Sequence, residues 1–562
     1  MSPDPTTGVT PVDASPAERA RDRALAVVFV VGLFVPMVAM ATGVGRADAT
    51  TEKRVLAEFP SIAPDEELRA AVAEGGGGDA GAWVRSIRRW PKAFEAWYDD
   101  HFAFRSALIH WHHRMFVAGL GVSPRTDVVL GKDGWLFTNA SDQEQAALDQ
   151  VRGLFPYSEE QLREFQTFLE QCRDWFADRG VPYYLTIAPS KPTIHAEYLP
   201  DSIVVQNPVT RLDQLRDWLA GAQERDGVDP IPFIDLRPGL LAAKAEFGAL
   251  YRRTDTHWNG IGAMIASGQI VEALRPRFPA LEPIDPARFE VAWRSGRGGD
   301  LAAILSLSSV LTEDLVALQS LDPIDLVREE EGLVPVRIPA IQIEFAENLA
   351  AERTTPFRMV QERDDLPRLL MFRDSYASNL VPFLSRAFSS SAYYWQYRIH
   401  DPAIMALERP DVVVQEIGER VLMRNVGMPR NEPFLTTGWT RMRAFRDAEL
   451  ELGRVADDAR RSFRFPLDGL PDGQAVSVRI AGDFGPDASV RVRLLPPQEG
   501  HAGWILHESE LVAWRDVVYA HAEKPNSRQT ILVEVAAEEA RDLEVALRVV
   551  PRLNADAKAS GD

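Results

Sequence analysis

The sequence predicts an α/β protein: a parallel sheet flanked by helices, preceded by one transmembrane helix and followed by a β-sandwich. Three observations lead there. Between about residues 125 and 430, short apolar runs alternate with stretches of helical period, which is how strands covered on both faces by crossover helices read. Beyond about residue 450 the period falls to two, and near the N-terminus Ala24 to Gly45 passes without a charge.

The uncharged stretch comes first. At ~1.5 Å per helical residue it can cross a hydrocarbon core of about 30 Å, and it exceeds the roughly 7 to 15 apolar residues of a cleaved secretory signal. Arg19, Arg21 and Arg23 precede it. The positive-inside tendency therefore makes residues 1–23 a cytoplasmic tail, residues 24–45 a single-pass inner-membrane anchor, and the rest periplasmic. Pro36 is tolerated in such a helix; Ala47-Asp-Ala49 also fits a cleavage site, the alternative that would release the chain. Residues 46–124 are a tether with a flexible joint at Gly75–Gly78, then an aromatic helical region containing Trp83, Trp90, Phe94, Trp97, Tyr98 and Trp111. Such a stripe fits ring stacking on sugars or, more commonly, a packing face. His110, His112 and His113 lie there with no carboxylate at ligand spacing, so surface or packing roles are expected of them.

Residues 125–435 carry the α/β pattern. A helix over 158–179 opens with the capping-box pair Ser158 and Gln161. Val181–Ala188, Pro232–Leu236, Arg368–Phe372 and Asp411–Gln415 read as buried strands. Ser190, Lys191, Ser375 and Glu416 each follow a strand, and ligands gather at the carboxyl ends of strands in such sheets. Residues 303–365 break the rhythm and read as a lid, a partner surface or an insertion. The lone Cys172 reads as a small buried hydrophobe on a helix. Over residues 450–552, Val476-Ser-Val-Arg-Ile480, Val490-Arg-Val-Arg-Leu494, Ile531-Leu-Val-Glu-Val535 and Leu543–Val549 alternate apolar with polar. That is an antiparallel sandwich.

The 62 Lys and Arg against 82 Asp and Glu give a formal charge of −20. This excludes a general nucleic-acid role, which needs a basic footprint. It also means that a polyanionic glycan would require local Arg or Lys in its groove, or else the polymer is neutral. No phosphate-binding loop or cofactor motif is visible, and no cofactor or metal is expected.

Two segments carry groups suited to acyl transfer. Ser375 follows an apolar strand and precedes a stretch that reads as helix, and Asp255-Thr-His257 precedes a helix marked by Asn259 and Gly260. A serine hydroxyl attacks only when a base takes its proton and a third group holds that base in the right tautomer. Residues two apart on an extended backbone project to one side, so Asp255 can reach the imidazole of His257. Asp-x-His equally fits a metal-ligand pair or ordinary loop polarity. Lys191 fits donor or sugar binding or a solvent-facing role, and Glu416 with Arg420 reads as an i,i+4 ion pair.

Gly131-Lys-Asp-Gly-Trp-Leu-Phe137, Ala188-Pro-Ser-Lys-Pro192 with Glu197-Tyr-Leu-Pro200, Thr254–Asn259, Gly299-Asp-Leu301, Asp374-Ser-Tyr376, and Pro410–Val414 with Glu419-Arg420 fall in one order. Over roughly residues 90 to 425 this resembles the AlgJ/AlgX-type polysaccharide (alginate) O-acetyltransferases, SGNH-hydrolase-like proteins. The resemblance implies Ser375 as acetyl-accepting nucleophile, His257 as general base and Asp255 as its partner. It implies a polysaccharide acceptor and a multi-pass membrane O-acyltransferase as acetyl source, and, because some relatives carry a carbohydrate-binding β-domain at this end, it makes a glycan-holding module the alternative to a scaffold for the sandwich of residues 450–552. Arg373 stands where many SGNH proteins have Gly; holding an anionic sugar, steadying the turn or pointing to solvent are its three readings, the last favoured. For the oxyanion, the N–H groups of Ser375 and Gly299 are expected as donors, with Asn379 and Asn259 as the side-chain alternatives. Two rivals stay open: an SGNH-type carbohydrate acetylesterase using water as acceptor, and a non-catalytic glycan-binding or assembly subunit.

Overall fold

The computed structural model describes residues 16–42, 57–74, 78–139, 147–322, 324, 326–330, 336–338, 355–395, 399–423, 439–471, 474–485, 487–496, 503–511, 514–523, 525–537 and 539–551. The chain forms two compact units, one of residues 1–124 with Ile304–Leu307, the other of residues 125–303 with 308–562.

In the first unit a helix runs from Pro16 to Thr42. It reaches back through Arg19, Arg21, Asp22 and Arg23, so charge occupies its opening turns, and its described part stops short of the Gly45 expected to end the span. Among the described residues no helix is long and apolar enough to cross a membrane, and the anchor expected over 24–45 is not upheld. Residues 1–15 of the expected tail, and residues 46–56 and 75–77 of the tether, lie outside the described residues. The helix Asp79–His101 carries the aromatic stripe. Its rings pack on one another and on Phe59: Trp90 stacks on Phe94 at 4.9 Å, and Trp97 meets Phe59 edge-on at 4.9 Å. His110 and His113 direct Nδ1 to the carbonyls of Ser306 and Leu305, a packing use of the imidazole.

The second unit is built on an eight-stranded sheet. Its order is Phe233–Asp235, Tyr183–Ala188, Val412–Gly418, Arg368–Arg373, Ser390–Trp395, Phe357–Val360, Leu326–Glu330 and Val336–Ile338. The first five strands are parallel and the last three antiparallel. Side chains alternate between faces at period two. Leu369, Met371, Val412 and Val414 thus join one core with the helix Gly260–Leu274, while Leu370, Phe372 and Val413 join a second with the helix Glu159–Asp178. Burial on both faces explains why these strands read as unbroken apolar runs. Ser158 and Gln161 form the expected capping box, and Cys172 is buried in the second core.

The stretch 303–365 is in part an extension of the sheet. Glu313–Ser320 forms a hairpin with Phe289–Gly296, and three later segments supply the antiparallel strands; residues 331–335 and 339–354 lie outside the described residues. Toward the C-terminus two four-stranded antiparallel sheets enclose a core of Phe463, Val478, Val492, Val533 and Val545, the sandwich that the alternating pattern predicts.

Candidate active site

Ser375 sits at the carboxyl end of the strand Arg368–Arg373, with ordinary helical backbone angles (φ −68°, ψ −25°). A 3-10 turn, Tyr376–Asn379, and one α turn, Val381–Leu384, follow it instead of the longer helix expected. The Asp374 carboxylate folds the turn, accepting the N–H groups of Tyr376 at 2.8 Å and Gly418 at 2.9 Å.

The other segment is a tight loop. Tyr251 and Trp258 pair as an antiparallel bridge, and Asn259 then caps the helix by accepting from the N–H of Gly262. Three hydrogen bonds lace the loop to the serine turn: Trp258 Nε1 to the Tyr376 carbonyl, Tyr376 hydroxyl to the Thr256 carbonyl, and Asn379 Nδ2 to the Trp258 carbonyl.

These ties bring together the three side chains singled out from the sequence. His257 Nε2 lies 2.9 Å from Ser375 Oγ, 118 residues away, and His257 Nδ1 lies 2.9 Å from Asp255 Oδ1. An ionised carboxylate only accepts, so Nδ1 carries the proton and Nε2 faces the hydroxyl as a base. Asp255 also accepts the backbone N–H groups of His257 and Asp300, each at 3.0 Å, and Arg252 Nη1 at 3.1 Å. Burial opposes its charge, but His257 and Arg252 outweigh it and hold the carboxyl well below the usual range. Burial likewise opposes the imidazolium, yet Asp255, with Asp300 at 3.7 Å, carries His257 above its ordinary value. Asp255, His257 and Asp300 place three potential metal-ligand atoms within 4.8 Å of one another. Here those groups are committed to the relay and to the loop, Asp300 Oδ1 accepting the Thr256 N–H.

The remaining site expectations fare differently. Gly299 donates its N–H to Thr254 Oγ1, not toward the serine. Its lack of a side chain has a separate use, because a Cβ there would stand 2.4 Å from Asp255 Oδ2. Asn379 and Asn259 have their amide nitrogens on the Trp258 and Ala249 carbonyls. Lys191 is buried, with Nζ on the carbonyls of Arg252, Arg253 and Asp255. It is a brace for the histidine loop, and burial pushes it down to about 8 against the pull of Asp255, Asp300 and Glu313. Arg373 does not point to solvent. It is 2% exposed and donates to Ser378 Oγ and the Asp374 carbonyl, steadying the turn.

The expected Glu416–Arg420 ion pair is also corrected. Glu416 lies inside the strand Val412–Gly418 and accepts the Asp374 N–H at 2.9 Å; burial and the Asp374 charge push its carboxyl far up. Arg420, on the turn after that strand, extends Nη2 to 3.3 Å from Ser375 Oγ. Sequence reasoning missed it. The available signal was its place just past the end of a strand neighbouring the one that delivers the serine.

Residues 128–330 match the family model described as an SGNH hydrolase-like domain, acetyltransferase AlgX; this range holds Asp255 and His257 and ends before Ser375. The chain is 30% identical over 226 residues to the probable alginate O-acetylase AlgJ of Pseudomonas aeruginosa, covering 39% of this chain and 51% of that one. Against AlgJ of Pseudomonas syringae pv. tomato the identity is 29% over 247 residues, covering 42% and 57%. The chain therefore spans about half the length of the curated relatives it matches. Among solved structures, the O-acetyltransferase domain of Pseudomonas putida AlgJ is similar at 22% identity with a TM-score of 0.35, over 55% of this chain and 99% of that one. By its matched domain and the order of its motifs, this chain is similar to the AlgJ/AlgX-type O-acetyltransferases, and residues 128–330 match an SGNH hydrolase-like domain.

Proposed function

We propose that the chain is an O-acetyltransferase that carries an acetyl group on Ser375 and delivers it to hydroxyls of an extracytoplasmic polysaccharide. The observation that carries this reading is the unbroken relay from Asp255 through His257 to Ser375, two contacts of 2.9 Å between segments far apart in sequence. Ser375 Oγ attacks the acetyl carbonyl while Nε2 takes its proton; the imidazolium, held between Asp255 and Asp300, returns that proton to the leaving oxygen. In the second half the same nitrogen deprotonates the sugar hydroxyl that attacks the acyl-enzyme. The names of the relatives favour alginate, a polysaccharide, as acceptor. A multi-pass membrane O-acyltransferase supplying the acetyl group, and a periplasmic setting for the catalytic part, belong to the same proposal.

The test gives the purified chain an acetyl ester with and without oligosaccharide. Acetyl-sugar as the product supports transfer, whereas acetate alone in both arms leaves an esterase. Ser375→Ala should abolish both products, and polymer acetylation persisting in a strain that carries Ser375→Ala would sink the enzymatic reading altogether.

A further inference from the structure

Attack on an acetyl ester moves negative charge onto the former carbonyl oxygen, and the site must offer donors where that charge develops. Apart from the Ser375 N–H, the groups expected from the sequence are committed elsewhere: the Gly299 N–H to Thr254, the Asn379 and Asn259 amides to carbonyls, Lys191 to three carbonyls. Arg373 is buried behind the turn, and Arg252 bridges Asp255 and Glu313. Arg420 is different. Its guanidinium reaches Ser375 Oγ and lies 5.7 Å from the centre of the Tyr376 ring. Among the described residues no carboxylate forms an ion pair with it, although Arg237, Arg252 and Arg358 are each neutralised by two. A cation beside the nucleophile with no carboxylate partner among the described residues is a poor structural choice and an apt electrostatic one.

We propose that Arg420 is a catalytic residue that stabilises the oxyanion, together with the Ser375 N–H; the proposal rests on the acyl-transfer reading above. In the step, a bond forms between Oγ and the acetyl carbon as the hydroxyl proton passes to His257 Nε2. The carbonyl π pair moves onto oxygen, where the guanidinium donates to it. That pair then re-forms the carbonyl, the bond to the donor's alkoxy oxygen breaks, and the leaving oxygen takes the proton back from His257. Arg420 lies on the turn just after the strand that pairs directly with the serine's own, so sheet register sets its distance.

Acyl-enzyme formation from p-nitrophenyl acetate by the full chain tests this. Arg420→Ala should slow the acylation burst by about 100-fold, the usual effect of losing one oxyanion donor, with the KM for the ester little changed. Added guanidinium ion should restore the burst of Arg420→Ala in a saturable way, which a packing role would not allow. Arg420→Lys and Arg420→Gln form a second pair should the alanine variant not fold: a charge-based role ranks Lys well above Gln. An unchanged burst in Arg420→Ala, equal defects in Lys and Gln, or a defect seen only in the KM of an acidic oligosaccharide overturns the proposal. Ser375→Ala in parallel should show no burst. A burst there would sink the serine mechanism itself, an outcome separate from any result at Arg420.

Discussion

His257 can act as a base only while neutral, and its surroundings set where that holds. Burial works against the imidazolium, Asp255 and then Asp300 favour it, and Arg420 opposes it, leaving the group above its ordinary value. Acylation should therefore rise with pH through an inflection above the ~6.5 of a free imidazole. Asp300→Asn removes one of the two carboxylates facing the ring, and the inflection should move to lower pH; stopped-flow kinetics across the pH range would show it, and an unmoved inflection would rule out that electrostatic hold. The sign for stability is opposite at Asp255. Its depressed carboxyl contributes stability that is present above the unfolded value and lost as pH falls through the folded one. The Asp255–His257 pairing was legible because it is local, two residues apart on one loop. Lys191 was not, because the carbonyls that bind it lie 61 to 64 residues away.

At the scale of elements, the site is a strand end, a loop and the end of a neighbouring strand held in register. Gly299 shows how close the fit is. Gly299→Ala would place a methyl group 2.4 Å from Asp255 Oδ2 and 2.5 Å from its Cβ, so the carboxylate must shift. Acylation should fall by about 100-fold, in keeping with displacement of a catalytic group by about 1 Å, while circular dichroism stays close to wild type. Full activity in Gly299→Ala would mean that the loop yields freely. The element scale also explains the error over Glu416 and Arg420. Spacing of i,i+4 brings side chains together only on a helix, and Glu416 lies in a strand that continues to Gly418. There the glutamate turns inward to the serine turn, and the chain bends before Arg420.

Across the second unit, the β-sandwich is joined to the α/β part by charges. Asp178 accepts from Arg479 and Tyr519, and Arg179 pairs with Asp516 at 3.5 Å, both of these side chains buried. Arg179 also lies over the Trp175 ring at 3.8 Å. Asp516→Ala leaves a buried guanidinium without its carboxylate, which costs about 3–5 kcal/mol in such settings. Urea unfolding should start at lower denaturant, while acylation without urea stays near wild type because the relay draws no residue from the sandwich. A loss of acylation in proportion to stability would show that the sandwich also shapes the catalytic part.

The sequence by itself determined the layers and marked the candidate groups. Unbroken apolar runs inside helical alternation require a sheet buried on both faces, and a serine after a strand with Asp-x-His before a helix marks the groups proposed as nucleophile, base and orienting acid. These are properties of short stretches, which local backbone periodicity and side-chain chemistry decide. Only the tertiary structure decided which polar groups remain open toward the serine. Gly299, Asn379 and Lys191 carry suitable atoms, but each meets a partner supplied by a distant segment, and Arg373 is buried on its own turn, where it donates to Asp374 and Ser378. Arg420 is left facing the nucleophile because the register between two parallel strands puts it there, and register is set by packing across the whole sheet.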